Sequence, residues 1–571
     1  MMRKFAYILT IIGFVSWATA SARTIDEAAE LALGFLHSET APLKMQQATV
    51  RPLWRYTEKM PVCQEPALYV FNIGDNGFVM VSAIDGAEDI LAYSYESTFN
   101  PDILPDNVRF WMQRYASRIE TVNSNPECAQ SARSDVSFTP IGPIVSCRWG
   151  QDYPFNILCP IDGSHGHSVT GCVATAASQV MYHHRHPQFG CGEHSYYSSS
   201  NLTTVYLSAD FENTEYRWDL MKDYYYYSGG TPDASDSAVA QIMLHAGISC
   251  DMSYSYSASG AQEFQMMEAL YTYFRYDKSI RLILTDYCDY NNALRLISYE
   301  LSNDRPVYVV GYTKEREGHA FICDGIDERG LVHINWGWSG MSDGYFYLYN
   351  LDPNNQGIGG SSSELAFTEK VEIGVGIRPD EGGETAPTIT SNKMFVSDTI
   401  FDLNKSVRIR TGSYLGNFGA CHFDGKLALV LYCNGSFSKV LEAESYMLDR
   451  FEETNDPVGF NHVFAGDDLQ EDSLYEVTIS ATNGYTYYPL HFEGKGICTA
   501  RFTVVDGKIR MSKPEVADIS LDTSASPVPT TDMPFISAEH SNNYDKIIVD
   551  GQLYIGRNGH WFNMLGQSVS Q

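Results

Sequence analysis

Residues Thr170 to Met181 read Thr-Gly-Cys-Val-Ala-Thr-Ala-Ala-Ser-Gln-Val-Met, and no other segment of the 571-residue chain constrains its folding as tightly. Val173, Ala176, Ala177 and Val180 recur at helical spacing, which predicts a helix with a buried face. Gly171 permits a tight entry turn, and the small Ala and Ser residues let a second layer pack closely. Cys172 is thereby placed at the helix mouth. A helix N-terminus and a neighbouring imidazolium both lower a thiol pKa, so this position suits a nucleophile. Taken alone, Cys172 also reads as an ordinary buried cysteine.

Two blocks far downstream alter that balance. Gly318-His319-Ala320-Phe321 puts a histidine at the edge of an apolar strand, and Asn335-Trp336-Gly337-Trp338 follows on a second strand-like run. An asparagine oxygen can orient an imidazole while a tryptophan shields the bond from water. The order cysteine, histidine, asparagine–tryptophan is that of papain-like thiol peptidases. The blander reading is a strand-edge histidine and an aromatic hairpin core.

Other chemistries find less support. The sequence holds no His-Glu-x-x-His zinc motif, no Gly-x-Ser-x-Gly elbow and no phosphate-binding glycine loop. His165, His167, His183, His184 and His186 cluster around the Cys172 helix, and a zinc-dependent hydrolase would need them as ligands. No carboxylate–histidine pattern among them specifies a metal, and solvated helix-end positions explain them equally. No cofactor and no metal are expected.

With 70 acidic against 39 basic side chains, the formal net charge is −31. Such a surface repels nucleic acid and anionic membranes. Arg3 and Lys4, the apolar run Phe5 to Trp17 and the small residues Ala18 to Ala22 read as a signal peptide over 1–22, too short to span a bilayer. Export to the extracellular space or cell surface is expected, with no integral membrane segment afterwards. Export permits disulfides. A nucleophilic Cys172 leaves eleven of the 12 cysteines, an odd number, so at least one more stays unpaired.

The rest divides into blocks. Residues 23–135 read as an independent α+β unit. Thr24-Ile25-Asp26-Glu27 is a capping box ahead of an amphipathic helix, Gly74-Asp75-Asn76-Gly77 joins a hairpin, and Val108, Trp111, Met112, Tyr115 and Ile119 share a helical face. A polar stretch from Asn123 to Ser137 is a linker open to processing. Residues 136–379 open with helices and turn to strands, as a two-lobed α+β peptidase requires. Alternating strands over 385–508 predict a β-sandwich. A spacer over 509–543 and a short meander over 544–571 complete the chain.

At these motifs the chain resembles the streptopain family of bacterial cysteine peptidases, which includes the interpain-type enzymes. Trp149-Gly150-Gln151-Asp152-Tyr153-Pro154-Phe155-Asn156 resembles the family's opening segment. Thr170 to Met181, Ala246-Gly247-Ile248-Ser249, Gly318 to Gly325 and His333 to Gly344 follow in family order. Residues 24 to 122 resemble its inhibitory propeptide, notably Asn76-Gly77-Phe78-Val79-Met80-Val81-Ser82. The resemblance implies a papain-like α+β fold and a secreted endopeptidase made as a zymogen. It also implies protein or peptide substrates and the propeptide as intramolecular inhibitor. It makes Cys172 the nucleophile, His319 the general base and acid, Gln151 the oxyanion donor, and Asn335 with Trp336 the orienting block. Gln356-Gly357-Ile358-Gly359-Gly360 falls where the family has a mobile loop near the cleft. The last residues resemble C-terminal sorting tails of exported bacterial proteins. The alternative is a surface binding or adhesion protein in which the β-sandwich acts and the peptidase fold is a scaffold.

Overall fold

The computed structural model describes residues 22–516 and strands within 545–569. It excludes residues 38–48, 57–65, 86, 106–107, 110, 114, 117–118, 120–136, 164, 200–203, 227–230, 285–289, 313–317, 349–370, 383–384, 414, 467–468, 472, 485 and 493–496, and the turns between the last strands. The signal segment, the 123–136 part of the linker, the glycine-rich loop at 356–360 and most of the 509–543 spacer lie outside the described residues.

The first block carries helix α1 (Ile25–Leu36) and strands β1 (Val50–Tyr56), β2 (Leu68–Ile73), β3 (Gly77–Ser82) and β4 (Ile90–Ser94). Thr24 and Glu27 form the expected capping box, satisfying two backbone N–H groups at the mouth of α1. Ile73 pairs with Gly77 across the expected hairpin, and Gly74 takes a φ of 56°, open to glycine at little cost. Helical residues follow at 108–109, 111–113, 115–116 and 119.

The next block opens with α2 (Cys172–His184), hairpin β5 (Glu193–Ser199) and β6 (Thr204–Asp210), α3 (Ala234–Ser249) and α4 (Glu263–Tyr273). Strand β7 (Arg281–Leu284) and helix α5 (Tyr290–Ser302) lead into β8 (Val307–Tyr312), β9 (Gly318–Ile326), β10 (Val332–Asn335), β11 (Gly344–Phe346) and β12 (Val371–Val375). Helices α2, α3 and α4 enclose a core that includes Ala177, Val180, Ile242, Met243 and Met266. The strands bury a second core around Phe321, Ile334, Trp336 and Phe346.

One arrangement departs from the expectation of an independent first block. Its strands join those of the second block in a single ten-stranded sheet ordered β1-β2-β3-β4-β11-β10-β9-β8-β12-β7. The seam is β4 against β11, with Tyr93 opposite Tyr345 and Ala92 opposite Phe346. Phe78, Trp111 and Tyr115 share the hydrophobic core with Phe321 and Trp336. Sequence periodicity marks a buried face but not the partner that buries it, so this continuity was invisible in the chain.

Residues 389–516 form sheets of eight, four and three strands around a core including Leu427, Leu429, Val477, Ile479, Val407 and Phe460. This block is fastened to the preceding one at the free edge of β7. Leu282 donates to the carbonyl of Phe418 and Ala420 to that of Ile280, at 2.9 and 3.0 Å. The final residues constitute a separate unit, a four-stranded meander of Asp545–Val549, Gln552–Arg557, His560–Asn563 and Ser568–Val569.

Candidate active site

Cys172 is the first residue of α2, and Gly171 before it has a φ of 87°. A Cβ at Gly171 would lie 2.9 Å from Met252 Sδ, so both backbone angle and space demand glycine there. The Cys172 Sγ accepts the Ala320 N–H at 3.5 Å, one residue beyond His319 on β9. Helix and strand thus bring the two sequence-predicted residues to one place. His319 is half-buried and stands opposite Gly311 of β8.

The thiol is not poised as the sequence suggested. Although Cys172 keeps some solvent exposure, burial pushes its pKa up, and backbone N–H groups of Ala320, Val173 and Cys172 itself only partly oppose this. Burial thus works toward the neutral thiol and against the helix N-terminus.

Gln151 is buried, and its carbonyl accepts the Thr170 N–H at 3.2 Å, two residues before Cys172. This contact lays the 149–151 segment along the mouth of α2. Asn335 pairs with Ile322 of β9, and its amide is engaged at both ends. Nδ2 donates to the Cys147 carbonyl at 2.9 Å and Oδ1 accepts the Gly337 N–H at 3.1 Å. In this arrangement Asn335 ties the turn after β10 to the 147–151 segment. The neighbouring Trp336 is fully buried, its ring 4.7 Å from Phe321 and 5.1 Å from Phe346.

Residues that the sequence reading passed over hold these parts together. Gln179, in the second turn after Cys172, accepts the Trp149 N–H at 3.2 Å, with the Cys147 thiol 3.8 Å away. Thr175 Oγ1 donates back to the Gly171 carbonyl at 2.9 Å. A Cβ on Gly337, which has a φ of 73°, would meet Thr175 Cγ2 at 3.2 Å, so the turn after Trp336 lies directly on α2. Ser339 donates its N–H to the Trp149 carbonyl at 2.9 Å. Gln179 carried a signal in sequence, since it is a polar residue inside an apolar helical run.

The histidines around α2 are spread over separate contacts. His167 Nδ1 meets the Cys159 carbonyl at 2.7 Å, and His165 stacks on Tyr256 at 4.0 Å. His183 reaches Asp304, His184 the Tyr276 hydroxyl and His186 the Arg275 carbonyl. Burial draws the His184 pKa down to about 3, which keeps that ring neutral.

The first block contacts the turn after Trp336 directly. Ser97 Oγ donates to the Gly340 carbonyl at 2.8 Å, and Glu96 pairs with Arg148 at 2.7 Å. Nearby, Tyr93 donates to Asp327 at 3.2 Å, Tyr115 to the Tyr347 carbonyl at 2.8 Å, and the Arg329 guanidinium lies 4.4 Å over the Phe35 ring.

Comparison with known proteins bears on both blocks. The family model described as Peptidase C10 family matches residues 149–346, and that described as Spi protease inhibitor matches residues 20–119. Streptopain of Streptococcus pyogenes is 31% identical over 328 residues, covering 55% of this chain and 81% of that protein. The Thiol protease/hemagglutinin PrtT of Porphyromonas gingivalis is 32% identical over 422 residues, covering 69% of this chain. This chain spans 47% of the length of that relative. The solved fragment of Prevotella intermedia prointerpain A is 30% identical, with a TM-score of 0.48, and covers 58% of this chain and 99% of that fragment.

Proposed function

We propose, from the premise that the chain belongs to the peptidase C10 (streptopain) family of cysteine peptidases, that it is a secreted endopeptidase held latent by its own first block. One observation carries this reading. The Cys172 sulfur, at the mouth of a buried helix, faces the backbone one residue beyond His319.

In the active enzyme His319 takes the Cys172 proton, and the thiolate attacks the carbonyl carbon of the scissile peptide. Gln151 and the N–H groups at the mouth of α2 receive the developing oxyanion. His319 returns the proton to the leaving amine as the tetrahedral adduct collapses to a thioester. Water, deprotonated by the same imidazole, then releases the acid. Asn335 and Trp336 form the wall that orients His319.

Residues 23–135 act as the inhibitory propeptide and 136–379 as a papain-like, two-lobed peptidase. The shared sheet supports latency, since the first block is built onto the strands that carry the site. Residues 385–508 form a β-sandwich, followed by a linker over 509–543 and a sorting-like tail over 544–571. Residues 1–22 serve as the export signal. Among the described residues no helix is long and apolar enough to cross a membrane. Substrates are proteins or peptides.

The test is to express the chain without residues 1–22 and sequence the N-terminus of any self-processed product. Cleavage between about 120 and 137, blocked by a thiol alkylator and indifferent to a chelator, supports the reading. Inhibition by the chelator alone would sink it, and binding without any cleavage would favour the adhesion alternative.

A further inference from the structure

The turn from Trp336 to Asp343 touches both halves of the site. On one side Gly337 lies against Thr175 of α2, one helical turn beyond Cys172. On the other, the Trp336 ring packs on Phe321, two residues beyond His319. Whatever fixes this turn therefore fixes the spacing between the Cys172 helix and the His319 strand.

Its internal tie is a carboxylate. Asp343 is 4% exposed, and its Oδ1 accepts the Trp336 N–H at 3.0 Å. The Asp343 N–H donates to the Gly340 carbonyl at 3.4 Å, and the Ser342 carbonyl accepts the Trp336 indole N–H at 3.1 Å. Both tryptophan donors thus end on two consecutive residues that close the turn. The outer side is held differently, by Ser97 of the propeptide on Gly340. Release of the propeptide removes that support and leaves the internal tie.

We propose that Asp343 is a positioning residue of the active enzyme, holding Trp336 and its turn between the Cys172 helix and the His319 strand after the propeptide has gone. The proposal rests on the cysteine-peptidase reading of the same site. The charged groups facing Asp343 are His333 of β10, Asp324 of β9, which lies 2.6 Å from His333, and Arg148, whose partner Glu96 belongs to the propeptide. Burial pushes the Asp343 pKa up to about 7. Both its ionised and its protonated forms can accept the Trp336 N–H, so the tie survives across the working range.

The experiment compares Asp343→Asn with Asp343→Ala in the matured enzyme, with kcat referred to the active sites titrated by an irreversible peptidyl inhibitor that needs the folded cleft, since other free cysteines would react with a small alkylator. Asparagine can accept the same N–H and should keep kcat within about 3-fold, whereas alanine should lower it roughly 10- to 100-fold with KM little changed. A loss of folding alone would reduce the titrated active sites and not the turnover per site. Unchanged turnover per active site in Asp343→Ala, or equal damage from both substitutions, overturns the proposal. If Asp343→Ala does not fold, wild-type enzyme labelled with 15N-tryptophan decides. The Trp336 backbone amide, assigned through Trp336→Phe, should exchange slowly with deuterium, and exchange at the rate of an open amide overturns the contact. Insensitivity of wild-type cleavage to iodoacetamide would refute the peptidase reading itself, while the amide exchange still judges Asp343.

Discussion

Trp111 of the first block stands edge-on to Trp336 of the second, their ring centroids 6.1 Å apart and both side chains fully buried. Trp111 also meets Phe321 edge-on at 5.7 Å. The propeptide therefore packs directly behind the turn and the strand that build the site. Replacing a buried Trp by Ala costs about 3–5 kcal/mol. Trp111→Ala in the full chain should weaken this grip by at least about 100-fold and speed self-processing. A time course of processing, read on gels, checks it, and an unchanged rate would place the latch elsewhere.

Cys172→Ser should abolish both peptide cleavage and self-processing, because serine lacks an accessible anion beside this histidine. His319→Ala should be comparably damaging. The double variant should be scarcely worse than either, since residues acting as one unit are not additive. Gln151→Ala should cost about 10²- to 10³-fold in kcat if its amide reaches the oxyanion. Steady-state kinetics on a short peptide measure all four, and additive losses in the double variant would argue against a shared step.

The Glu96–Arg148 pair spans the same interface but carries less weight. Its carboxylate is 76% exposed, and ion pairs this open contribute at most about 1 kcal/mol. Glu96→Gln should change the processing rate less than about 5-fold, and added salt should erase the difference. A larger effect that persists in high salt would mean that Glu96 has a role beyond this pair.

His245 supplies a pH signature of the helical core. Its Nδ1 lies 3.0 Å from the Tyr216 hydroxyl, and burial draws its pKa from 6.5 down to about 4. Between those values the unfolded chain binds the extra proton, so stability falls as pH drops through that window. The loss is about 1.4 kcal/mol per pH unit. Asp343, with its pKa raised to about 7, pulls the opposite way over much of the same range. The comparison that isolates His245 is therefore wild type against His245→Gln. Urea unfolding should show the wild type losing roughly 3 kcal/mol relative to the variant between neutral pH and pH 4. A constant difference across that range would show that the imidazole is not buried in its neutral form.

Truncation after Pro379 separates chemistry from support. Every sequence-predicted site residue precedes that point, so cleavage of a small peptide should persist at low temperature. The residues at 418–420 nevertheless complete the β7 edge, and Ala420 is packed into the helical core. Arg450 also pairs with Glu268 at 2.7 Å, beside a contact between Phe451 and Phe264. Their loss should lower the melting temperature by several degrees. A truncated enzyme as stable as the full chain would show that the docking contributes nothing.

Much of the architecture was legible because it is written in local patterns. The capping box at Thr24, the hairpin at Gly74, the helix behind Cys172 and the strand at Lys426–Tyr432 each follow from residues close in sequence, although Leu427 to Leu431 are buried throughout and do not alternate. The site was legible in part. Cys172 and His319 could be paired because each sits at the start of a regular element, where a side chain can leave the core. Asp343 and Thr175 were not legible, and Gln179 stood out only as a polar residue in an apolar run, since a lone polar residue announces no partner until distant segments meet.

The sequence by itself determined the elements, their buried faces and the placing of Cys172 and His319 at element ends, because these depend on side-chain spacing and backbone preference. Tertiary structure alone decided that β4 continues into β11, that Trp111 lies behind Trp336, and that burial pushes the Cys172 pKa up. Those outcomes depend on which apolar faces meet and how much water they exclude, and a chain read one segment at a time contains neither quantity.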